Sequence, residues 1–137
     1  MDKDLSKKIF IKNNILTPKY ISYSFDKKNL ELIKSIEKKL KFPVVIKPIN
    51  EGSSVNVFIC NKNNILKTLT KLNEYGEVLL EKYIPGREIQ VAILENKVLG
   101  AIELRPTRKF YDYQAKYNPK ARTEHIIPVE ISKRKYQ

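Results

Sequence analysis

At 137 residues, 42% of them hydrophobic, the chain is long enough to bury a core, as one domain or as a piece of a larger protein. It has no apolar run near the roughly 18 residues of a membrane span, no secretory h-region at its start and no second cysteine for a disulfide, which fits a reducing compartment. The net charge of +12 invites nucleic acid as a partner, but 22 of the 27 basic residues are lysines spread along the chain, whereas base reading favours arginine and base stacking needs clustered aromatics.

Lysine, asparagine and isoleucine make up 50 of the 137 residues, so a biased codon usage accounts for the charge without a nucleic-acid partner. In chain order, "KDLSKKIFIKNNIL" reads as a helix with Leu5, Ile9 and Ile15 or Leu16 inward, stopping before Thr17-Pro18 because the residue before proline avoids helical dihedrals. "KYISYS" alternates as a short strand. Asp26 is placed to cap a helix over 27–40, with Leu30, Ile33, Ile36 and Leu40 as its apolar face and Glu37 as a polar interruption.

"FPVVIKPINEGSSVNVFIC" is a strand, a compact loop and a second strand ending in Cys60, a packed core thiol. Asn61 caps a third helix through "NNILKTLTKLNEY", with Ile65, Leu66, Leu69 and Leu72 inward and Gly76 as its stop. "EVLLEKYI" is a strand closed at Pro85-Gly86, and "REIQVAILENKVLGAIEL" a hairpin turning at Glu95-Asn96 with Ile89, Val91 and Ile93 on one face. The last third is polar and aperiodic and reads as a long loop. This order predicts an α+β fold with a mainly antiparallel sheet and flanking helices.

Neither G-x-G-x-x-G nor a P-loop is present, and a lone His125 in a polar tail supports neither a triad nor a metal cluster. The chemistry concentrates elsewhere. Lys47 ends an apolar strand, where packing can hold its stem while its ammonium reaches a polar site. The loop Glu51-Gly52-Ser53-Ser54 behind it can present backbone N–H groups and hydroxyls, and such a nest beside a lysine suits phosphate. A snorkelling surface lysine beside a plain turn is the competing reading. Glu81, the exposed backbone of Lys82, Tyr83 and Ile84, and Glu88 could pair with a purine and its ribose, or could form a solvated face. "FYDYQAKY" packs aromatics, Asp112 and Lys116 into a polar loop, where aromatics bury poorly unless they close over something.

Together "MDKDLSK", "FPVVIKPINEGSSV", "LLEKYIPGREI" and "FYDYQAKY" resemble, in order and spacing, the D-alanine–D-alanine ligase family of ATP-grasp enzymes. The resemblance implies a partial ATP-grasp fold, with a small subdomain and its N-terminal linker helix over 1–83 and the start of a second subdomain over 84–137. It implies ATP as cofactor, with Lys3 and Lys47 on its phosphates, Glu81 and the Lys82–Tyr83–Ile84 backbone on adenine, and Glu88 on ribose. Ser53 and Ser54 would stand on the phosphate and substrate side. The 110–117 segment would be a mobile loop, with Lys116 meeting the γ-phosphate and Tyr117 bonded toward Ser53 and favouring a peptide product.

The implied reaction joins two D-alanines through an acyl phosphate for peptidoglycan synthesis and cell shape in a bacterial cytoplasm, with ADP released. Another carboxylate–amine ligase of the same superfamily, a non-catalytic nucleotide-binding remnant and one part of a split ligase are the alternatives. Asn56 stands where the family has glycine. The family's first D-alanine domain and its segment with the oxyanion arginine and Mg²⁺ ligands have no counterpart here. The Mg²⁺ ligands are therefore expected outside the chain, and the isolated chain is expected to be inactive, with the missing segments as partners. A homodimer of the family's type would be compatible; no nucleic acid or membrane is implied.

Overall fold

The computed structural model describes residues 2–26, 31–107 and 113–131. They divide into two compact units, residues 1–84 and 85–137. In the first unit the order is α1 (Lys3–Lys12), β1 (Tyr20–Ser24), α2 (Leu32–Lys39), β2 (Val44–Pro48), β3 (Phe58–Cys60), α3 (Ile65–Leu72) and β4 (Glu77–Lys82). The strands form one antiparallel sheet in the order β1-β4-β2-β3.

Because side chains alternate across a strand, the register sorts the sheet into two chemically different faces. Val44, Ile46, Val78, Leu80 and Cys60 lie on one face and pack with Leu32, Ile36 and Leu40 of α2 and Ile65, Leu69 and Leu72 of α3. The other face carries Lys47, Leu79, Glu81 and Tyr20. The helices with a good apolar stripe take the first face, as burial of that stripe requires. Cys60 is buried, its Sγ 3.3 Å from the Thr68 hydroxyl, and burial pushes its thiol pKa up.

Several local expectations need correction. Leu5 and Ile9 of α1 are exposed, as are Ile15 and Leu16 beyond its end, and its buried residue is Lys7 at 5% exposure. The helix meets the polar face of the sheet, where a lysine finds a partner and a leucine does not. α2 begins after Glu31, and Asp26 does not cap it; residues 27–30, including the expected Leu30, lie outside the described residues. Its stripe runs Leu32, Ile36, Leu40, which leaves Glu37 outside and paired with Lys62 at 2.6 Å. In α3, Leu66 is 64% exposed.

The N-cap of α3 is Asn64 rather than Asn61, which instead holds the turn leading into the helix. The Asn61 side chain accepts from the N–H groups of Asn63 and Asn64, and the Asn64 side chain accepts in return from the Asn61 N–H. β3 is shorter than expected because Ser53, Ser54 and Asn56 have φ of 50°, 61° and 51°, values no strand accommodates. Gly76, at φ 69°, closes the turn after α3 as predicted.

In the second unit β5 (Glu88–Leu94) and β6 (Lys97–Arg105) form the expected hairpin, with Glu95 at φ 53° in its turn. Val91 and Ile93 of the expected apolar face are exposed, and Ile89 is half-buried. The last third is not a plain loop. It forms α4 (Tyr113–Tyr117) and β7 (Glu124–Ile126), which pairs with β6 so that His125 stands opposite Leu104. Glu103, almost fully buried, receives a two-pronged bond from Arg87, whose Nη1 also donates to the Glu130 carbonyl at 2.8 Å. The Arg87 bond and the neighbouring Arg105 hold the Glu103 carboxyl below the usual range against the upward push of burial.

Candidate functional site

The polar face of the first sheet gathers its charges around Glu81. β4 is the middle strand between β1 and β2, with Tyr20 and Val45 directly opposite Glu81 on either side. Lys47 lies two residues beyond Val45 on the same face, a diagonal cross-strand neighbour within reach of a long side chain. Its ammonium donates to Glu81 Oε1, while the Lys7 ammonium reaches Oε2 at 2.8 Å. Burial raises the pKa of the Glu81 carboxyl, but the Lys47 and Lys7 bonds and charges outweigh it and hold the group below the usual carboxylate range.

Lys7 is the residue that the sequence reading missed. Its ammonium also donates to Thr17 Oγ1 and the Pro18 carbonyl, each at 2.8 Å, and sits 5.2 Å from the Tyr20 ring centroid. The signal was available: Lys3 and Lys7 are four residues apart on one helix and so share a face.

Lys3, one turn earlier, reaches the loop after β2. Its ammonium donates to the carbonyls of Pro48 at 2.9 Å, Ile49 at 3.0 Å and Glu51, and its backbone N–H donates to Ile49 at 3.2 Å. Burial lowers its pKa, and the nearby charge of Lys47 lowers it further. That second cause is informative. The ammonium groups of Lys7 and Lys47 hold the carboxylate of Glu81, and Lys3 stands near enough to Lys47 to feel its charge, against the opposite pull of Glu51, Asp2 and Glu81. The side chain of Lys47 is 22% exposed, that of Lys7 only 7%, so of the two lysines on Glu81 it is Lys47 that is open to solvent.

The loop 51–56 is closed partly by its own turns: Val55 N–H donates to Gly52 at 2.9 Å and Val57 N–H to Ser54 at 3.4 Å. Ser53 is exposed and Ser54 half-buried. Asn56 donates through Nδ2 to the Tyr75 hydroxyl. The backbone expected to be open along Lys82, Tyr83 and Ile84 is open only in part. β4 is not an edge strand, and the N–H groups of Lys82 and Tyr83 donate to the carbonyls of Lys19 at 2.9 Å and Pro43 at 3.3 Å. Ile84 is exposed.

The structure therefore brings Lys3, Lys47 and Glu81 together with Lys7 in the first unit. Glu88, Lys116 and Tyr117 belong to the second. There Glu88 is an exposed residue opening β5, and Lys116 and Tyr117 end the short helix α4, with the Tyr117 ring 4.8 Å from that of Tyr113. Phe110, Tyr111 and Asp112 of the expected mobile loop lie outside the described residues. Among the described residues no group of three or more His, Cys, Asp or Glu could hold a metal ion, so these residues do not fit Mg²⁺. The lysine cluster does fit the phosphates of ATP, because two ammoniums share one carboxylate and that of Lys47 is partly exposed, which suits a polyanion. No helix among the described residues is long and apolar enough to cross a membrane.

A family model described as "D-ala D-ala ligase C-terminus" matches residues 12–137. The D-alanine–D-alanine ligase of Pelagibacter ubique (strain HTCC1062) is 68% identical over 133 residues, which are 97% of this chain and 44% of that protein. Two crystal structures of D-alanine–D-alanine ligase from Bacillus anthracis are similar in fold. One has a TM-score of 0.77 at 37% identity, covering 96% of this chain and 42% of its own. The other, complexed with ATP, has a TM-score of 0.70 at 28% identity, covering 96% and 40%. The chain thus spans less than half the length of the relatives it matches.

Proposed function

Because this chain belongs to the D-ala D-ala ligase family, matching the model of its C-terminal part over residues 12–137, we propose that it is the nucleotide-binding portion of an ATP-dependent D-alanine–D-alanine ligase. The fold is α+β and of the ATP-grasp type, with antiparallel sheets, as in the solved ligases that it resembles. The observation that carries the nucleotide reading is that two ammoniums, Lys7 and Lys47, share the one carboxylate of Glu81, with the Lys47 side chain 22% exposed and Lys3 close by.

In this reading Lys47 contacts the phosphates of ATP directly. Lys3, whose ammonium is turned to three carbonyls, sets the start of the 51–56 loop and adds to the potential. Glu81 and the backbone past Lys82 to Tyr83 and Ile84 face adenine, and Glu88 the ribose. Ser53 and Ser54 stand on the phosphate and D-alanine side, Lys116 is assigned to the γ-phosphate and Tyr117 to holding the closed loop for peptide formation. ATP, when bound, supplies the γ-phosphoryl group that activates a D-alanine carboxylate. The lysines offset the negative charge that this transfer gathers. The product serves peptidoglycan synthesis in the cytoplasm, and residues 1–83 and 84–137 are assigned to the two ATP-grasp subdomains.

Titration calorimetry with ATP tests the reading. Lys47→Ala should weaken binding about tenfold to a hundredfold, the worth of a lost charged hydrogen bond. Lys62→Ala, which removes only a surface pair with Glu37, should leave it unchanged. Equal losses at both positions would mean generic charge attraction and would sink the nucleotide site.

A further inference from the structure

Lys7 has no access to a ligand of its own. Its side chain is 7% exposed, and its ammonium is directed at three acceptors: Glu81 Oε2, Thr17 Oγ1 and the Pro18 carbonyl, each at 2.8 Å. An ammonium has three N–H donors, so this set fixes its position and orientation fully. Two of the anchors come from the segment just after α1 and one from the middle strand of the sheet. The other carboxylate oxygen, Oε1, takes Lys47. The two lysines therefore divide one carboxylate between them, the buried one on Oε2 and the partly exposed one on Oε1.

That division has a consequence for Lys47. With Lys7 present, Glu81 is half neutralised from below and offers Lys47 a single oxygen. With Lys7 gone, the whole carboxylate charge falls on Lys47, and both oxygens can draw its ammonium back toward β4. The site also loses one of the two positive charges that face the carboxylate.

We propose that Lys7 is a positioning residue which, through Glu81, sets the place and effective charge of the Lys47 ammonium at the phosphate site. The proposal rests on the reading of Lys47 as a phosphate ligand and extends it to a residue that touches no ligand. Its alternative is that Lys7 only staples α1 to the sheet.

ATP titration and thermal melting of the 137-residue chain, with Lys7→Met, Lys47→Ala, Glu81→Gln and the Lys7→Met/Glu81→Gln double variant, separate these. Lys7→Met should weaken ATP binding about fivefold to tenfold, and the same change in the Glu81→Gln background should alter it by less than about twofold, since contacting residues couple and the route runs through the carboxylate. A Lys7→Met chain that melts lower yet binds ATP like the parent overturns the proposal and leaves the nucleotide site standing. A Lys47→Ala chain that binds like the parent overturns the nucleotide reading, and the positioning role falls with it. If Lys7→Met does not fold, Thr17→Val decides: it keeps every charge and removes one anchor of Lys7. Weaker ATP binding in Thr17→Val supports the role; unchanged binding overturns it.

Discussion

Glu81 and Lys47 face each other diagonally across neighbouring strands, with Val45 directly opposite the carboxylate and Lys47 one alternation further on the same face. The pair sits on the side of the sheet that the apolar helices leave uncovered, and Lys7 completes it.

Glu81→Gln should therefore be costly at neutral pH, because it strands buried Lys7 without its counter-charge. Breaking a buried pair by removing one partner costs about 3–5 kcal/mol, and the partial exposure of Lys47 puts this case near the lower figure. The sign with pH follows from the direction of the shift. A carboxyl held below its unfolded pKa contributes stability that is full above the unfolded value of about 4.3 and is lost as pH falls through the lowered folded value. Urea unfolding across the acid range should show the gap between parent and Glu81→Gln closing below about pH 4. A gap of constant size would mean that the carboxylate charge is not what the glutamine removes.

Asn56 carries two burdens at once, a left-handed φ of 51° and a bond to the Tyr75 hydroxyl. Asn56→Gly removes the strain and the bond together, and the two should nearly cancel. Asn56→Ala keeps the strain and loses the bond, so it should destabilise by about 1–3 kcal/mol. Denaturant midpoints of the two variants check this. Equal midpoints would show that φ at residue 56 is not what the asparagine is there to supply.

The phase of the helix stripes is testable in the same way. Ile36 is fully buried between α2 and the sheet, and Ile36→Ala should cost about 2–5 kcal/mol. Leu66→Ala, on the solvent side of α3, should change stability by less than about 0.5 kcal/mol. A large loss at Leu66 would place that residue in a contact that the first unit by itself does not provide.

The order of elements up to the hairpin was legible because apolar residues recur with period 2 in the strands and about 3.6 in the helices. Phase was less legible. α1 exposes Leu5, Ile9 and Ile11, and Ile15 and Leu16 beyond its end are exposed too; the sequence alone cannot say that this helix meets a charged face. Lys7 reads as solvated until its partner, far along the chain at Glu81, is known. β7 escaped notice because three residues, Glu124–Ile126, are too few for a period and two of them are polar. Of the candidate site, Lys47 was visible from its place at the end of an apolar strand and Glu81 from its place on a strand before an exposed turn, while Lys3 came from the motif resemblance. The paired N–H groups of Lys82 and Tyr83 were not visible, because only the topology shows that β4 has neighbours on both sides.

The central place of β4 also governs when this sheet can exist during synthesis. β1 and β2 never pair with each other; both pair with β4, the last of the four strands to be made. Until residue 82 has left the ribosome, β1 has no ladder at all, and the β2–β3 pair keeps a bare edge along β2. Closing such long separations carries the loop entropy that slows non-local pairing. The residues that gather the charges of the site are in the same position: Lys7 and Lys47 are both translated ahead of Glu81, so the emerging chain holds two like charges apart until their common counter-ion arrives.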